Sequence, residues 1–201
     1  GLLFFMKEDR KIERRKKLMV GFMAFVLISS IFGVIFFGFH TGGVTTSLKY
    51  DDFKFYRKGN VWSTFIDKRE ALFSFYPTDV EFVFTELGVV DKLKNKVQID
   101  VTLDVNDTHL QSIALAQFQM KSTLGNFNVF IREGATDTNE FNLPIINCEY
   151  ATQSVPVIYF KEGNFTEIKS EGNCVIVEAN NPNDFIRAKD RIVYGILGVM
   201  S

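Results

Sequence analysis

The chain has 201 residues, 46% of them apolar and 22 of them Phe, so there is ample material for a packed core and little room for extensive disorder. The formal net charge of −1 conceals an asymmetry: residues 1–17 carry seven Lys/Arg against three Asp/Glu, and residues 40–201 carry 16 against 21. A mildly acidic main body without a Lys/Arg run argues against a nucleic-acid surface, because phosphate binding needs clustered positive charge, so no nucleic-acid partner is expected.

Residues 18–39, LMVGFMAFVLISSIFGVIFFGF, contain no charge. As a helix rising about 1.5 Å per residue this run matches a hydrocarbon core of about 30 Å. Arg14, Arg15, Lys16 and Lys17 abut it on one side, and the uncharged 40–47 stretch follows on the other. The positive-inside rule then expects a cytoplasmic basic tail at 1–17, a transmembrane helix at 18–39, a stalk at 40–47 and an extracytoplasmic domain at 48–201. The apolar run exceeds the roughly 7–15 residues of a cleaved signal peptide and no small-x-small cleavage site follows it, so the reading is an uncleaved signal anchor. A basic leader before an apolar helix also resembles the type IV pilin-like class. The sequence departs from that pattern, because Lys17 runs directly into Leu18 and no acid follows early in the helix.

The predicted ectodomain opens with a three-stranded meander at 52–57, 61–66 and 71–76, separated by Lys58-Gly59-Asn60 and Lys68-Arg69-Glu70 and ended by Pro77. The 80–84 stretch is ambiguous, and a short helix is expected at 86–95. VQIDVTLD at 97–104 alternates, with Val97, Ile99, Val101 and Leu103 on the apolar face, which predicts a half-buried strand. Thr108-His-Leu-Gln111 reads as a capping box ahead of a helix to about Lys121. FNVFIRE at 127–133 returns as a strand, so 97–133 has the order of a βαβ unit. Residues 134–143 are a polar surface loop. Strands at 155–160, 165–170 and 174–179 are expected to form an antiparallel meander, and Asn180-Asn-Pro-Asn183 introduces a last helix at 184–197 with Asp184 in its first turn. The fold class expected is α+β, a mixed sheet with packed helices.

Cys148 and Cys174 are the only cysteines. On the oxidising side of a membrane an even pair is expected to be a disulfide. Asn106-Asp-Thr and Asn164-Phe-Thr fit the glycosylation sequon at expected turns. Asp104, Asn106 and Asp107 follow a strand and precede a helix, a position where oxygen donors could hold Ca²⁺ or Mg²⁺, although a polar turn capping the helix explains them as well. His109 stands alone. No G-x-S-x-G, phosphate loop, H-E-x-x-H or CxxC is present, so no catalytic residue is assigned and no cofactor is implied.

The C-terminal stretch from Val155, with Asn-Cys at 148, Gly-Asn-Cys at 174 and the closing Asp190-Arg191-x-x-Tyr194-Gly195-x-x-Gly198, resembles uncharacterised archaeal single-pass membrane proteins. The resemblance implies a paired Cys148 and Cys174 and a cell-surface location, and it carries no catalytic residue. The leading functional expectation is a membrane-anchored extracytoplasmic interaction or structural protein of the cell envelope, whose partners are the lipid bilayer and another membrane or envelope protein. The alternatives are an extracytoplasmic enzyme or metal-dependent binding domain, and a pilin-like filament subunit.

Overall fold

The computed structural model describes residues 46–138 and 140–200. The tail, the 18–39 span and most of the 40–47 stalk lie outside the described residues. Among the described residues no helix is long and apolar enough to cross a membrane. These residues form an α+β fold with two sheets and two helices.

The first sheet is an antiparallel meander, β1 Ser47–Tyr50, β2 Phe53–Lys58, β3 Val61–Ile66 and β4 Arg69–Phe73, joined by two-residue turns at 51–52, 59–60 and 67–68. Asp67 and Lys68 both have positive φ, 48° and 65°, as the tight turns matched to strand twist require. The expected three strands are present, and β1 is an additional one that begins at the end of the expected stalk. It escapes a pattern reading because only Leu48 and Tyr50 alternate. In β2 the inward positions are Phe53 and Phe55, and β3 and β4 add Trp62, Ala71 and Phe73.

The second sheet has six strands in the order β5-β9-β10-β8-β6-β7. Its members are β5 Phe84–Thr85, β6 Gln98–Leu103, β7 Phe130–Ala135, β8 Val157–Glu162, β9 Glu167–Glu171 and β10 Cys174–Ala179. β7, β6, β8 and β10 run parallel, and β9 is antiparallel to β10. The helices are α1 Leu110–Gly125 and α2 Pro182–Ile196. β6-α1-β7 is the expected βαβ unit.

Three expectations need correction. The last three strands do not form a simple meander, because β10 inserts between β8 and β9. The reason is burial: CVIVEA is apolar on both faces and suits the middle of a parallel sheet, whereas EIKSE buries only Ile168 and suits a flank. The 163–166 connection therefore passes the end of β10, where Gly163 N donates to Ala179 O at 3.0 Å. The expected helix at 86–95 is reduced to a single 3-10 turn, Val90–Lys92. The polar face of β6 is not open to solvent, since Asp100 is 2% and Thr102 0% exposed.

Alternation along the strands divides the interior. Ile99, Val101, Leu103, Ile158, Phe160, Val175 and Val177 join the core beneath the helices. Val157, Cys174 and Ile176 point the other way and pack with Ile146 and Tyr159, under the long connection between β7 and β8. Thr102 Oγ1 donates to Ile146 O at 2.6 Å, and Asp100 accepts from Gln98 Nε2 at 2.8 Å and from the Arg132 guanidinium, which is how a polar strand face is buried without loss of hydrogen bonds.

α2 holds the two sheets together. Asp190, fully buried, accepts from Ser74 N at 2.9 Å and Phe75 N at 2.8 Å, and from the Lys189 ammonium. These two amides end the β4 ladder, so β4 stops at Phe73 instead of continuing to 76. Tyr194 donates to Phe75 O at 2.7 Å and its ring stacks on Phe73 at 3.8 Å. A Cβ on Gly195 would stand 2.5 Å from Val90 Cγ1, and Gly198, with φ of 75°, closes the helix as Val199 N donates to Tyr194 O at 2.9 Å.

The start of α2 carries the expected cap, shifted to Asn181. Asn181 Oδ1 accepts from Asp184 N at 3.1 Å, and Asp184 accepts in return from Asn181 Nδ2, Thr166 Oγ1 and Arg187 Nη1. Burial raises the Asp184 pKa, but these hydrogen bonds outweigh it and hold the carboxyl below its ordinary value.

Two variants test this frame. Asp190→Ala leaves two amides and an ammonium buried without their acceptor, and is expected to cost about 3–5 kcal/mol in denaturant unfolding, as loss of one partner of a buried pair does. Because the folded-state pKa of Asp184 lies below the unfolded one, its contribution is present above about pH 4 and is lost as pH falls through the folded value. Asp184→Asn is therefore expected to lower stability by about 1 kcal/mol at pH 7 and to narrow the gap to wild type near pH 3, as measured by urea unfolding at both pH values.

Candidate functional site

The disulfide forms as the sequence leads one to expect. Cys148 and Cys174 are joined with Cα atoms 5.2 Å apart, inside the span a disulfide can bridge. Cys148 starts a 3-10 turn, Cys148–Tyr150, in which Asn147 Oδ1 accepts from Glu149 N at 3.0 Å. Cys174 is the first residue of β10 and is fully buried on the sheet face away from the helices. The bond thus clasps the long 136–156 connection over the middle of the six-stranded sheet. Gly134 permits the approach, since a Cβ there would lie 2.5 Å from Ile146 Cδ1.

Asp104, Asn106 and Asp107 lie together in the turn from β6 to α1. Asp104 Oδ1 accepts from Asn106 N at 2.8 Å, and Asp107 accepts from His109 N at 2.7 Å and from Glu162 N at 2.8 Å. Thr108 Oγ1 donates to Glu162 Oε2 at 2.8 Å. The carboxylates therefore organise the turn and join it to the end of β8, while His109 takes the cap position of α1 without a side-chain cap bond, two residues after Asp107. The expected Thr108 capping box gives way to these longer-range bonds, and α1 begins at Leu110. Among the described residues no group of three or more His, Cys, Asp or Glu gathers as a metal-holding cluster.

Both sequon asparagines, Asn106 and Asn164, are exposed, on turns at the same end of the sheet. Their hydroxyl residues are engaged, Thr108 with Glu162 and Thr166 with Asp184 at 2.7 Å. The Asp190, Tyr194, Gly195 and Gly198 of the resemblance serve the packing of α2 described above.

Sequence patterns did not locate the surface that stands out in the structure. The free edge of β4 is covered by side chains: Asn126 Nδ2 donates to Glu70 O at 3.2 Å, Thr123 Oγ1 to Leu72 O at 3.1 Å, and Asp190 takes the amides beyond. The edge of β7 is treated differently. Phe130 N and Thr136 N turn toward β6, whereas Ala135 N donates to Pro144 O at 2.9 Å and Ala135 O accepts from Ile146 N at 2.8 Å on the far side. By the two-residue period, Ile131 and Glu133 also direct their backbone groups outward; among the described residues neither meets a backbone partner there, although Ile131 is only 2% exposed and Glu133 is half-buried.

Beside this edge lies a cleft of about 280 Å³ lined by Lys121, Gly125, Asn128, Val129, Phe130 and Ile131. Phe130 is 58% exposed, and Val97 next to it is more so. One turn back along α1, Phe118 is 63% exposed and Leu115 is close to half exposed. Lys121 pairs with Glu133 at 2.5 Å across the cleft mouth. Exposed aromatic surface beside a cleft is the physical basis of docking by another chain.

Searches against family models, curated proteins and solved structures gave no match for this chain.

Reduction tests the clasp. In the loop-entropy picture a ring of 26 residues is expected to contribute about 3 kcal/mol, so Cys148→Ser/Cys174→Ser unfolds at correspondingly lower denaturant, and reductant destabilises wild type but not the double variant.

Proposed function

We propose that this protein is a non-enzymatic interaction domain of the cell envelope, held in the membrane by the 18–39 segment, with residues 46–201 on the extracytoplasmic side and docking another membrane or envelope protein. The exposed aromatic side chain of Phe130, beside a stretch of β7 that has no outer backbone partner among the described residues, carries this reading. Two features support the address: the charge asymmetry across 18–39, and a disulfide, a bond that persists in oxidising compartments. Exposed apolar side chains support docking: Phe130 on β7 and Phe118 and Leu115 on α1. Apolar contact with Phe130 would supply affinity, and the cleft beside it would take a side chain of the partner.

A photo-crosslinking residue at Phe130 or Phe118 in the full chain, irradiated in native membranes, is expected to capture one defined protein. The same residue at Asp51, on the first turn of the meander, should not. Phe130→Glu and Phe118→Glu are expected to abolish capture while shifting stability by no more than about 0.5 kcal/mol, as exposed substitutions do. Absence of any defined adduct, with the chain strictly monomeric in membranes, would count against docking.

A further inference from the structure

We infer that Asn164 is a covalent modification site, the acceptor of an N-linked oligosaccharide delivered by a polyprenyl phosphate or pyrophosphate donor. The inference rests on the extracytoplasmic address proposed above, the side of the membrane on which such sequons are used. Asn164 is exposed in the bend between β8 and β9, and its carboxamide makes no hydrogen bond to another described residue; only its backbone carbonyl is held, by Asn180 Nδ2 at 3.2 Å. A bulky group on that nitrogen therefore displaces nothing. Phe165 beside it is 76% exposed, and Phe84, opposite Glu167 on β5, is exposed as well. Sugar rings pack their C–H faces on aromatic rings, so an oligosaccharide here has apolar surface next to it to cover.

The step is a group transfer. The Asn164 carboxamide nitrogen forms a bond to the anomeric carbon of the first sugar, the bond from that carbon to the donor phosphate oxygen breaks, the phosphate leaves with the electron pair, and one amide proton passes to a base. The hydroxyl two residues on is part of what the transferase reads. In the finished fold Thr166 Oγ1 is occupied, donating to Asp184 at 2.7 Å in the first turn of α2. Asp184 follows Thr166 by 18 residues, so the hydroxyl is free until that turn has emerged and docked. Transfer therefore precedes the docking of α2.

The second sequon has a different setting. Its middle residue is Asp107, which puts a carboxylate between the two recognised side chains, and Asp104 stands two residues before Asn106. Negative charge on both sides of the acceptor repels the phosphate of the donor. At Asn164 the middle residue is the uncharged Phe165, and the nearest carboxylate in sequence is Glu162. Asp104 and Asp107 are also tied into their turn by bonds to the amides of Asn106, His109 and Glu162. Asn164 is thus the acceptor and Asn106 is not.

The test is peptide mapping by mass spectrometry of the full chain, purified from its native membranes after intact cells have been treated with a membrane-impermeant amine reagent. Tryptic peptide 162–169, bounded by Lys161 and Lys169, is expected to shift by the mass of one or more sugar residues, and peptide 97–121 to keep its unmodified mass. Lys54, exposed on β2, is expected to carry the reagent. Asn164→Gln is expected to lose the shift and Thr166→Ser to keep it. An unshifted 162–169 in a chain labelled at Lys54 would overturn the glycan and leave the address standing, whereas an unshifted 162–169 with Lys54 unlabelled would overturn the address and the glycan with it. A shift that survives in Asn164→Gln would overturn Asn164 as the acceptor, and a shift at 97–121 would overturn the choice between the two sequons.

Discussion

Asp190 is the constraint around which the fold is arranged. A carboxylate with no solvent exposure has to find donors, and it finds them on its own helix and in the first sheet at once: the lysine beside it on α2, and two consecutive amides where β4 ends. Burial pushes its pKa up while Lys189 and the amides pull the other way, which makes the cluster costly to disturb at any single member. Because of this junction the meander cannot slide along α2, and the Tyr194 ring is held flat on Phe73. Everything packed between the two sheets takes its position from that join.

The six-stranded sheet shows the same logic on a larger scale. Strands buried on both faces occupy the centre, and the charged strand β9 is moved outward even though chain order would have put it next to β8. The back face tolerates Asp100 and Thr102 because Arg132, Gln98 and the carbonyl of Ile146 satisfy them, so the long connection can lie directly on polar side chains. The cost of irregular backbone over the sheet is met partly by covalent closure at Cys148 and Cys174.

Much of this was legible in the sequence, and what was not has physical reasons. Alternation identified β6, the turn residues identified the meander, and Asn181-Pro182 with Asp184 marked the start of α2, because these signals are local. The place of β10 is a non-local choice, set by which strand can bury two faces, and nearest-neighbour reading of the Gly163 and Gly172 turns could not make it. The burial of Asp190 has no local signal, since the two amides it serves lie 115 and 116 residues earlier. Asp104 and Asp107 suggested ligands by position, and the structure shows their carboxylates bound to amides of the surrounding turns. The exposed surface at Phe130 has no sequence signature, for whether a strand's outer residues are covered depends on what lies beside them.

The clasp at Cys174 also acts as a check on assembly. Side chains alternate along β10, so Cys174 faces Cys148 only in the native register; a slip of one residue would carry the thiol to the helix side and out of reach. Oxidation therefore discriminates between correctly and incorrectly seated copies of the central strand. The covalent bond thus holds β10 in its native register between β8 and β9.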